Sequence, residues 1–201
     1  AMISSNQDSE ISSLIKECYE KLGIHKDLVI NLDTSNYYKK SFVEITTGYQ
    51  YDKGLPSPYL VNNPQKMELN LKKAHVLLLD MEIPNFAFLA PMIKTVLLEN
   101  QRKPLVIMAH GFKGDSLSGI VQNATNKSNP LEIYALEAPG YGARRSLLMQ
   151  DLGVQLMAEP LSEQLGNLQI DKLMTKVGMA SEIISNQFTT TISFGYGDDI
   201  K

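Results

Sequence analysis

The fold is decided by residues 74–125, AHVLLLDMEIPNFAFLAPMIKTVLLENQRKPLVIMAHGFKGDSLSGIVQNAT. Short apolar runs at 75–79 and 105–109 have the length and composition of buried strands. The segments 86–99 and 115–125 carry apolar residues at helical spacing and predict two helices. Such an alternation of strand and helix is typical of an α/β fold, in which helices cover a central sheet.

The same alternation continues on the C-terminal side of this stretch. Residues 132–136 predict a strand, and after the turn Ala138-Pro139-Gly140-Tyr141-Gly142 a helix is predicted over 143–152. The pattern then weakens, and the β-branched runs Ile183-Ile184 and 189–192 predict strands that close the domain. The organising unit is therefore βαβα.

The N-terminal quarter begins with a helix. Apolar residues recur at helical spacing from Ile11 to Leu22, and Gly23 is a natural C-terminal stop. Residues 28–32 are short and β-branched, which predicts a strand after this helix.

A domain boundary is predicted near Gly48. The segment 42–51 is rich in β-branched and aromatic residues, and turn-forming residues accumulate at 52–58. We therefore expect a short α/β segment over 1–47 and a main domain over 48–201.

Composition and charge exclude several classes of protein. The 201-residue chain has a net charge of −3 and no clustered basic surface, so a nucleic-acid partner is not expected. The single cysteine, Cys18, rules out an intrachain disulfide and favours a reducing compartment, the cytoplasm. The longest apolar runs are far shorter than the roughly 20 residues that cross a bilayer, so no membrane partner is expected. The first six residues lack the features of a secretion signal.

Two predicted helices carry apolar stripes that allow two interpretations. The first helix opens at Asn85, and the second follows Asp115, which we expect to be its N-cap. The stripes consist of Leu89, Met92, Ile93, Val96 and Leu97 in the first helix, and of Leu117, Ile120, Val121 and Ala124 in the second. Both stripes could face the core. Alternatively, they could lie partly exposed side by side and form a groove for an apolar peptide.

The sequence shows no arrangement typical of catalysis. Gly140 and Gly142 follow a strand, but Arg145 stands where a dinucleotide fingerprint needs a small residue, so a tight turn is the simpler interpretation. No serine lies in a nucleophile elbow. The histidines His25, His75 and His110 lack the spacing of metal ligands. Capping and solubility explain the carboxylates at the predicted element ends, which are Asp80, Glu82, Asp115 and Glu137.

Two motifs resemble those of one protein family. The segment Y-D-K-G-L-P-S-P-Y at 51–59 is similar to the F-D-R-G-Y-x-S-P-Y segment that opens the apical domain of group I chaperonins, the GroEL type. The segment A-P-G-Y-G-A-R-R at 138–145 resembles the A-P-G-F-G-D-R-R of the same family. The runs 103–107 and 189–192 fall in the family's order, so the resemblance covers nearly the whole chain.

The resemblance implies a GroEL apical-domain-like layered fold, with a central sheet flanked by helices. Residues 1–47 would be part of the intermediate domain, and residues 48–201 a C-terminally truncated apical domain. The chain would then be a fragment of a molecular chaperone of the cytoplasm, whose full length assembles into a homo-oligomeric ring. The fragment itself would be no enzyme and would bind no cofactor, because ATP and Mg²⁺ belong to an equatorial domain that is absent here.

The resemblance also implies a binding site and its partners. In the family, unfolded polypeptides and the mobile loop of the GroES-type co-chaperonin bind an apolar groove between two helices and the nearby S-P-Y segment. By position, the residues of this site are Leu55, Ser57, Tyr59, Leu60, Ala90, Ile93, Leu117, Val121 and Gln122.

The chain departs from the family pattern at several of these positions. Leu55 replaces an aromatic residue, Ala90 a leucine and Gln122 a branched apolar residue, each of which removes apolar contact. Ala143 replaces an acidic residue, and the turn 126–130 is longer than usual. Two alternatives therefore stay open, namely a divergent chaperonin paralogue with altered or lost client binding, and an α/β enzyme domain that binds a small molecule.

Overall fold

The computed structural model describes residues 8–22, 48–99, 103–163 and 166–194. The chain divides into two compact units, Ala1–Thr47 and Gly48–Lys201. The assignment of these units to an intermediate segment and an apical domain stays a prediction. Among the described residues, no helix is long and apolar enough to cross a membrane.

The described part of the first unit is helix α1, Ser9–Leu22. The helix begins where the Asp8 carboxylate accepts hydrogen bonds from the backbone N–H groups of Glu10 (2.9 Å) and Ile11 (3.1 Å), a typical N-cap. This confirms the predicted helix. The predicted stop at Gly23, the predicted strand at 28–32 and most of the segment 42–51 lie outside the described residues.

The second unit alternates strands and helices, and each predicted element within its described residues is present. The α/β class is thereby confirmed. The elements are β1 (Tyr49–Tyr51), a 3-10 turn (Pro58–Leu60), β2 (Leu69–Ile83), α2 (Phe86–Glu99), β3 (Leu105–Phe112), α3 (Ser116–Ala124), β4 (Ile133–Glu137), α4 (Ala143–Leu156), a second 3-10 segment (Ile170–Lys176), β5 (Gly178–Ser185) and β6 (Thr190–Phe194).

The strands form one mixed sheet in the order β1-β6-β5-β2-β3-β4. Strands β2, β3 and β4 are parallel, because α2 and α3 carry the chain back between them. Strands β5, β6 and β1 extend the sheet in antiparallel pairs on the other side of β2. The closing strands were predicted, whereas the sequence did not predict how they pair.

Strand β2 is much longer than the predicted strand at 75–79. Its first half pairs with β5 and its second half with β3. In the first half, Leu69 and Leu71 are buried, whereas Lys72 and Lys73 are exposed. This half of β2 contains no continuous apolar run, because one of its faces lies in solvent. It was therefore not predicted as a strand.

The core lies on both faces of the sheet. Along β2, Val76 and Leu78 belong to one apolar cluster and Leu77 and Leu79 to another, since successive strand residues point to opposite faces. Helix α4 covers the first cluster, and helices α2 and α3 cover the second. Burial of each such side chain contributes about 1.5–3 kcal/mol to folding. The candidate site therefore rests on a sheet with a well-buried centre.

The two edge strands approach each other at one corner of the sheet. The hydroxyl of Tyr51 in β1 donates a hydrogen bond of 3.1 Å to the carbonyl of Glu137 in β4. Burial raises the pKa of the Tyr51 hydroxyl, which therefore stays protonated and acts as the donor. Residues 52–60 start from this corner.

Candidate functional site

Helices α2 and α3 are fastened together at their N-terminal ends. The Asp115 carboxylate accepts a hydrogen bond of 2.9 Å from the backbone N–H of Phe86, the first residue of α2. Asp115 precedes α3 but makes no side-chain bond to the amides of that helix, so the expected capping of α3 is wrong. The first N–H groups of α2 have no acceptor within the helix, and the helix dipole favours a negative charge beside them. The N–H of Phe88 donates to the side-chain oxygen of Asn85 at 2.9 Å.

Gly119 allows the two helices to approach closely. A Cβ atom at this position would lie 2.4 Å from ring atoms of Phe86. Because glycine has no side chain, the ring packs directly on the backbone of α3. Phe86 is thus held by its amide and by its ring.

An open groove of about 580 Å³ lies between α2, the end of α3 and the connection from α3 to β4. One face of α2 supplies its longer wall, and residues 129–132 of the connection supply much of the rest. The lining residues are Phe86, Ala90, Ile93, Lys94, Leu97, Leu98, Asn123, Asn129, Pro130, Leu131 and Glu132.

The α3–β4 connection is held in place by its own hydrogen bonds. The side-chain oxygen of Asn126 accepts from the backbone N–H groups of Ser128 (2.9 Å) and Asn129 (3.4 Å). The N–H of Leu131 donates to the carbonyl of Asn123 at 3.0 Å. The turn 126–130 therefore ends in a segment that forms part of the groove.

Two of the nine residues assigned by resemblance line this groove, Ala90 and Ile93. Ala90 is half-buried, whereas Ile93 is only 4 % exposed, so a partner could contact only a small part of its side chain. On α3, Leu117 and Val121 are half-buried and Gln122 is exposed, but all three lie outside the lining.

The residues of the S-P-Y segment lie beside α3, since the 3-10 turn Pro58–Leu60 packs against that helix. Leu60 is 1 % exposed and belongs to the core beneath α2 and α3, and Ser57 is buried and accepts the N–H of Tyr59 at 3.3 Å. Tyr59 is 73 % exposed, and Leu55 is half-buried. The structure therefore does not gather the nine residues into a single exposed surface.

A close backbone contact fixes the start of this segment. The N–H of Leu55 donates to the carbonyl of Asn186 in the β5–β6 turn at 2.8 Å, and a Cβ on Gly54 would lie 2.0 Å from that oxygen. Only glycine fits at residue 54.

The two apolar stripes are mainly core. In α2, Leu89, Met92 and Val96 are fully buried, as is Ile120 in α3. The groove uses the neighbouring face of α2, where Phe86, Ala90, Ile93 and Leu97 recur at helical spacing. Leu98, which is 73 % exposed, also lines the groove. In the sequence, Leu98 follows Leu97 but lies outside the predicted stripe. This extra apolar residue is the feature that could have indicated a second apolar face of α2.

A polar cluster lies at the carboxyl ends of β2 and β3. The pairing of these two strands shifts register there, between Leu79 and Glu82. Asp80 bonds His110 Nε2 at 2.5 Å and accepts the Ser146 hydroxyl at 2.9 Å. Arg145 donates to the carbonyl of His110 at 3.1 Å. Asp80 was expected to be a capping or surface carboxylate, but it is a largely buried tie between β2, β3 and α4. In this cluster His110 bonds the carboxylate and not Ser146, so no nucleophile is paired with a base.

The glycine turn before α4 is packed against a lysine. The Lys53 ammonium lies 4.3 Å from the ring centroid of Tyr141 and 3.6 Å from a Glu137 carboxylate oxygen. Burial, and then the nearby Arg145, lower the pKa of Lys53, while Glu137 opposes this change. Gly140 has a φ of 74°, which supports the tight-turn interpretation. These groups bond one another and hold the turn in place.

Among the described residues, no three His, Cys, Asp or Glu side chains are grouped so as to hold a metal ion. A scan of the sequence against models of known protein families finds none that matches.

Proposed function

We propose that the second unit binds apolar segments of non-native polypeptides, as the apical domain of a group I chaperonin does. The observation that carries this proposal is the open groove beside α2, whose walls are mostly apolar. Phe86 and Leu97 are only partly buried, and Leu98 is 73 % exposed. Adjacent apolar side chains that stay open to solvent in a groove offer a surface on which a segment of another chain can lie.

The chemistry of such a wall suits clients of many sequences. Unfolded chains expose apolar side chains that folded chains bury, and transfer of these side chains from water is favourable without directional bonds. A groove that depends on apolar contact can therefore accept many segments, each weakly. The open side of the groove lets a segment enter without any rearrangement of the sheet.

The expected affinity of one groove is low. Burial of apolar surface contributes about 25 cal/mol per Å², and much of this gain is offset by the loss of translational and rotational freedom on binding. Several grooves that act on one client would bind far more tightly. This is a physical reason for the homo-oligomeric ring that the resemblance implies.

The resemblance extends the proposal to the whole protein. We propose that a GroES-type co-chaperonin loop competes for the same surface, and that an equatorial domain outside this chain hydrolyses ATP with Mg²⁺ to drive folding in the cytoplasm. The chain itself would then be no enzyme, residues 1–47 would belong to the intermediate domain, and residues 48–201 would have the apical-domain arrangement. The two sequence motifs at 51–59 and 138–145 support this extension.

Binding to one protein in two states tests the proposal. A fluorescently labelled, disulfide-containing protein is titrated with this chain, once in its native form and once reduced and carboxymethylated so that it stays unfolded. We expect saturable binding of the unfolded form with a Kd of about 10–1000 μM and none of the native form.

Two other results would favour the alternatives. Absence of binding by both forms would indicate a paralogue that has lost client binding. A rise in melting temperature on addition of ATP or NAD would favour a small-molecule site, because a ligand that binds only the folded state stabilises it.

A further inference from the structure

The groove carries one charge on each of two walls. Lys94 lies on α2, and Glu132 lies on the connection that precedes β4. Both residues are exposed, and both belong to the lining. The wall of α2 beside Lys94 is apolar, with Ala90 and Leu97 as neighbours in the lining.

Neither charge is neutralised by an ion pair within the part of the chain that the structure describes. The ion pairs found there involve other residues, and Lys94 and Glu132 do not pair with each other. Apolar walls lower the local dielectric constant, so each charge would interact with a bound partner more strongly than in open water. The groove is therefore polarised from one wall to the other.

We propose that the groove selects apolar segments that carry an acidic side chain toward Lys94 and a basic side chain toward Glu132. This selection rests on the proposed function and adds a substrate class to it. Apolar contact alone holds many sequences equally well, whereas a charge of the wrong sign at either wall is repelled. The preferred segment is apolar in the middle and flanked by charges of opposite sign.

Three short peptides with one apolar core test this selection. They are flanked on both sides by Asp, by Ser or by Lys, and their affinities are measured by fluorescence anisotropy at low ionic strength. Lys94→Glu should weaken the Asp-flanked peptide and strengthen the Lys-flanked one, each by about two- to tenfold. Glu132→Gln should strengthen the Asp-flanked peptide and weaken the Lys-flanked one.

A matched control separates local from general charge effects. Lys127 is exposed on the same connection but lies outside the lining, so Lys127→Glu makes the same charge change away from the groove. We expect Lys127→Glu to change the affinities of both charged peptides by less than half the effect of Lys94→Glu. The quantity compared is the ratio of the Asp-flanked to the Lys-flanked affinity in each protein.

The outcomes distinguish this inference from the proposed function. If all three peptides bind the parent but Lys94→Glu and Lys127→Glu have the same effect, the charge selection is wrong and the apolar groove stands. If the Ser-flanked peptide fails to bind the parent at millimolar concentration, the proposed function itself is wrong.

Discussion

Gly119 and Phe86 form the contact that sets the distance between α2 and α3. The ring of Phe86 occupies the space in which a Cβ on Gly119 would stand, 2.4 Å from two of the ring carbons and 2.8 Å from the Cβ of Phe86. Phe86 is also part of the groove wall. The width of the groove at this end therefore depends on the missing side chain at residue 119.

Gly119→Ala should destabilise the domain. The added methyl group overpacks the helix contact, at a cost of about 1–3 kcal/mol, while alanine returns about 1 kcal/mol of helix propensity. We expect a net loss in the free energy of unfolding, measured by urea denaturation, and weaker peptide binding. Gly111→Ala in strand β3 is a control for an added methyl group without overpacking, because a Cβ there meets no atom within 4 Å. Equal stabilities of the two variants would contradict this account of the helix contact.

Asp115→Ala should loosen the start of α2 rather than that of α3. The substitution removes the acceptor of the Phe86 N–H and is expected to cost about 0.5–2 kcal/mol, as loss of a helix cap does. Amide hydrogen exchange followed by NMR locates the effect. We expect faster exchange at Phe86, with the amides of α3 little changed. Asn85→Ala, which removes the acceptor of the Phe88 N–H, should instead accelerate exchange at Phe88.

His75 should make the domain less stable in mild acid. Burial, and then the Lys103 ammonium, lower the pKa of His75 in the folded state. The unfolded chain therefore binds a proton more readily, and stability falls as the pH drops through about 6.5 toward the folded-state pKa. Relative to His75→Gln, the parent should lose free energy of unfolding between about pH 7.5 and about pH 5.5. A difference between the two proteins that is independent of pH would rule out this linkage.

Asp80 should matter more for stability than Ser146. Asp80→Ala leaves His110 and the Ser146 hydroxyl without their shared acceptor in a largely buried place, which costs about 1–3 kcal/mol. Ser146→Ala removes one hydrogen bond, worth about 0.5–1.5 kcal/mol. Urea denaturation of both variants checks the order. If Asp80→Ala unfolds at the same urea concentration as the parent, the cluster does not tie α4 to the sheet.

Much of the fold could be predicted from the sequence, because buried strands and amphipathic helices leave regular patterns. Helix α2 begins and ends at the predicted residues, and the prediction for α4 ended four residues early, at residue 152 instead of Leu156. The first half of β2 could not be found from apolar runs, since only one of its faces is buried. Strand pairing depends on contacts between distant residues, which local patterns do not encode.

The candidate site was harder to predict. Helix α2 is apolar on more than one face, so its periodicity does not tell which face other elements cover. Leu60 is an apolar residue that could contact a partner, but its side chain lies in the core. Leu98 lies outside the predicted stripe, and its side chain is exposed to solvent. The role of Asp115 depends on the approach of α2 to α3, which no local rule for caps contains.

Peptide binding by two variants with the same substitution tests the central claim most directly. Leu98 is 73 % exposed in the groove, and Leu147 is 60 % exposed on α4, outside the lining. A glutamate at either place should leave the core intact, whereas one at the buried Ile93 would disrupt it. Circular dichroism confirms that both variants are folded before a labelled apolar peptide is titrated into each.

The account predicts saturable binding by the parent and by Leu147→Glu, and binding weakened about tenfold or more by Leu98→Glu, equivalent to about 1.4 kcal/mol. Equal affinities for Leu98→Glu and Leu147→Glu, or no saturable binding by the parent, would contradict the assignment of the groove as the polypeptide-binding site.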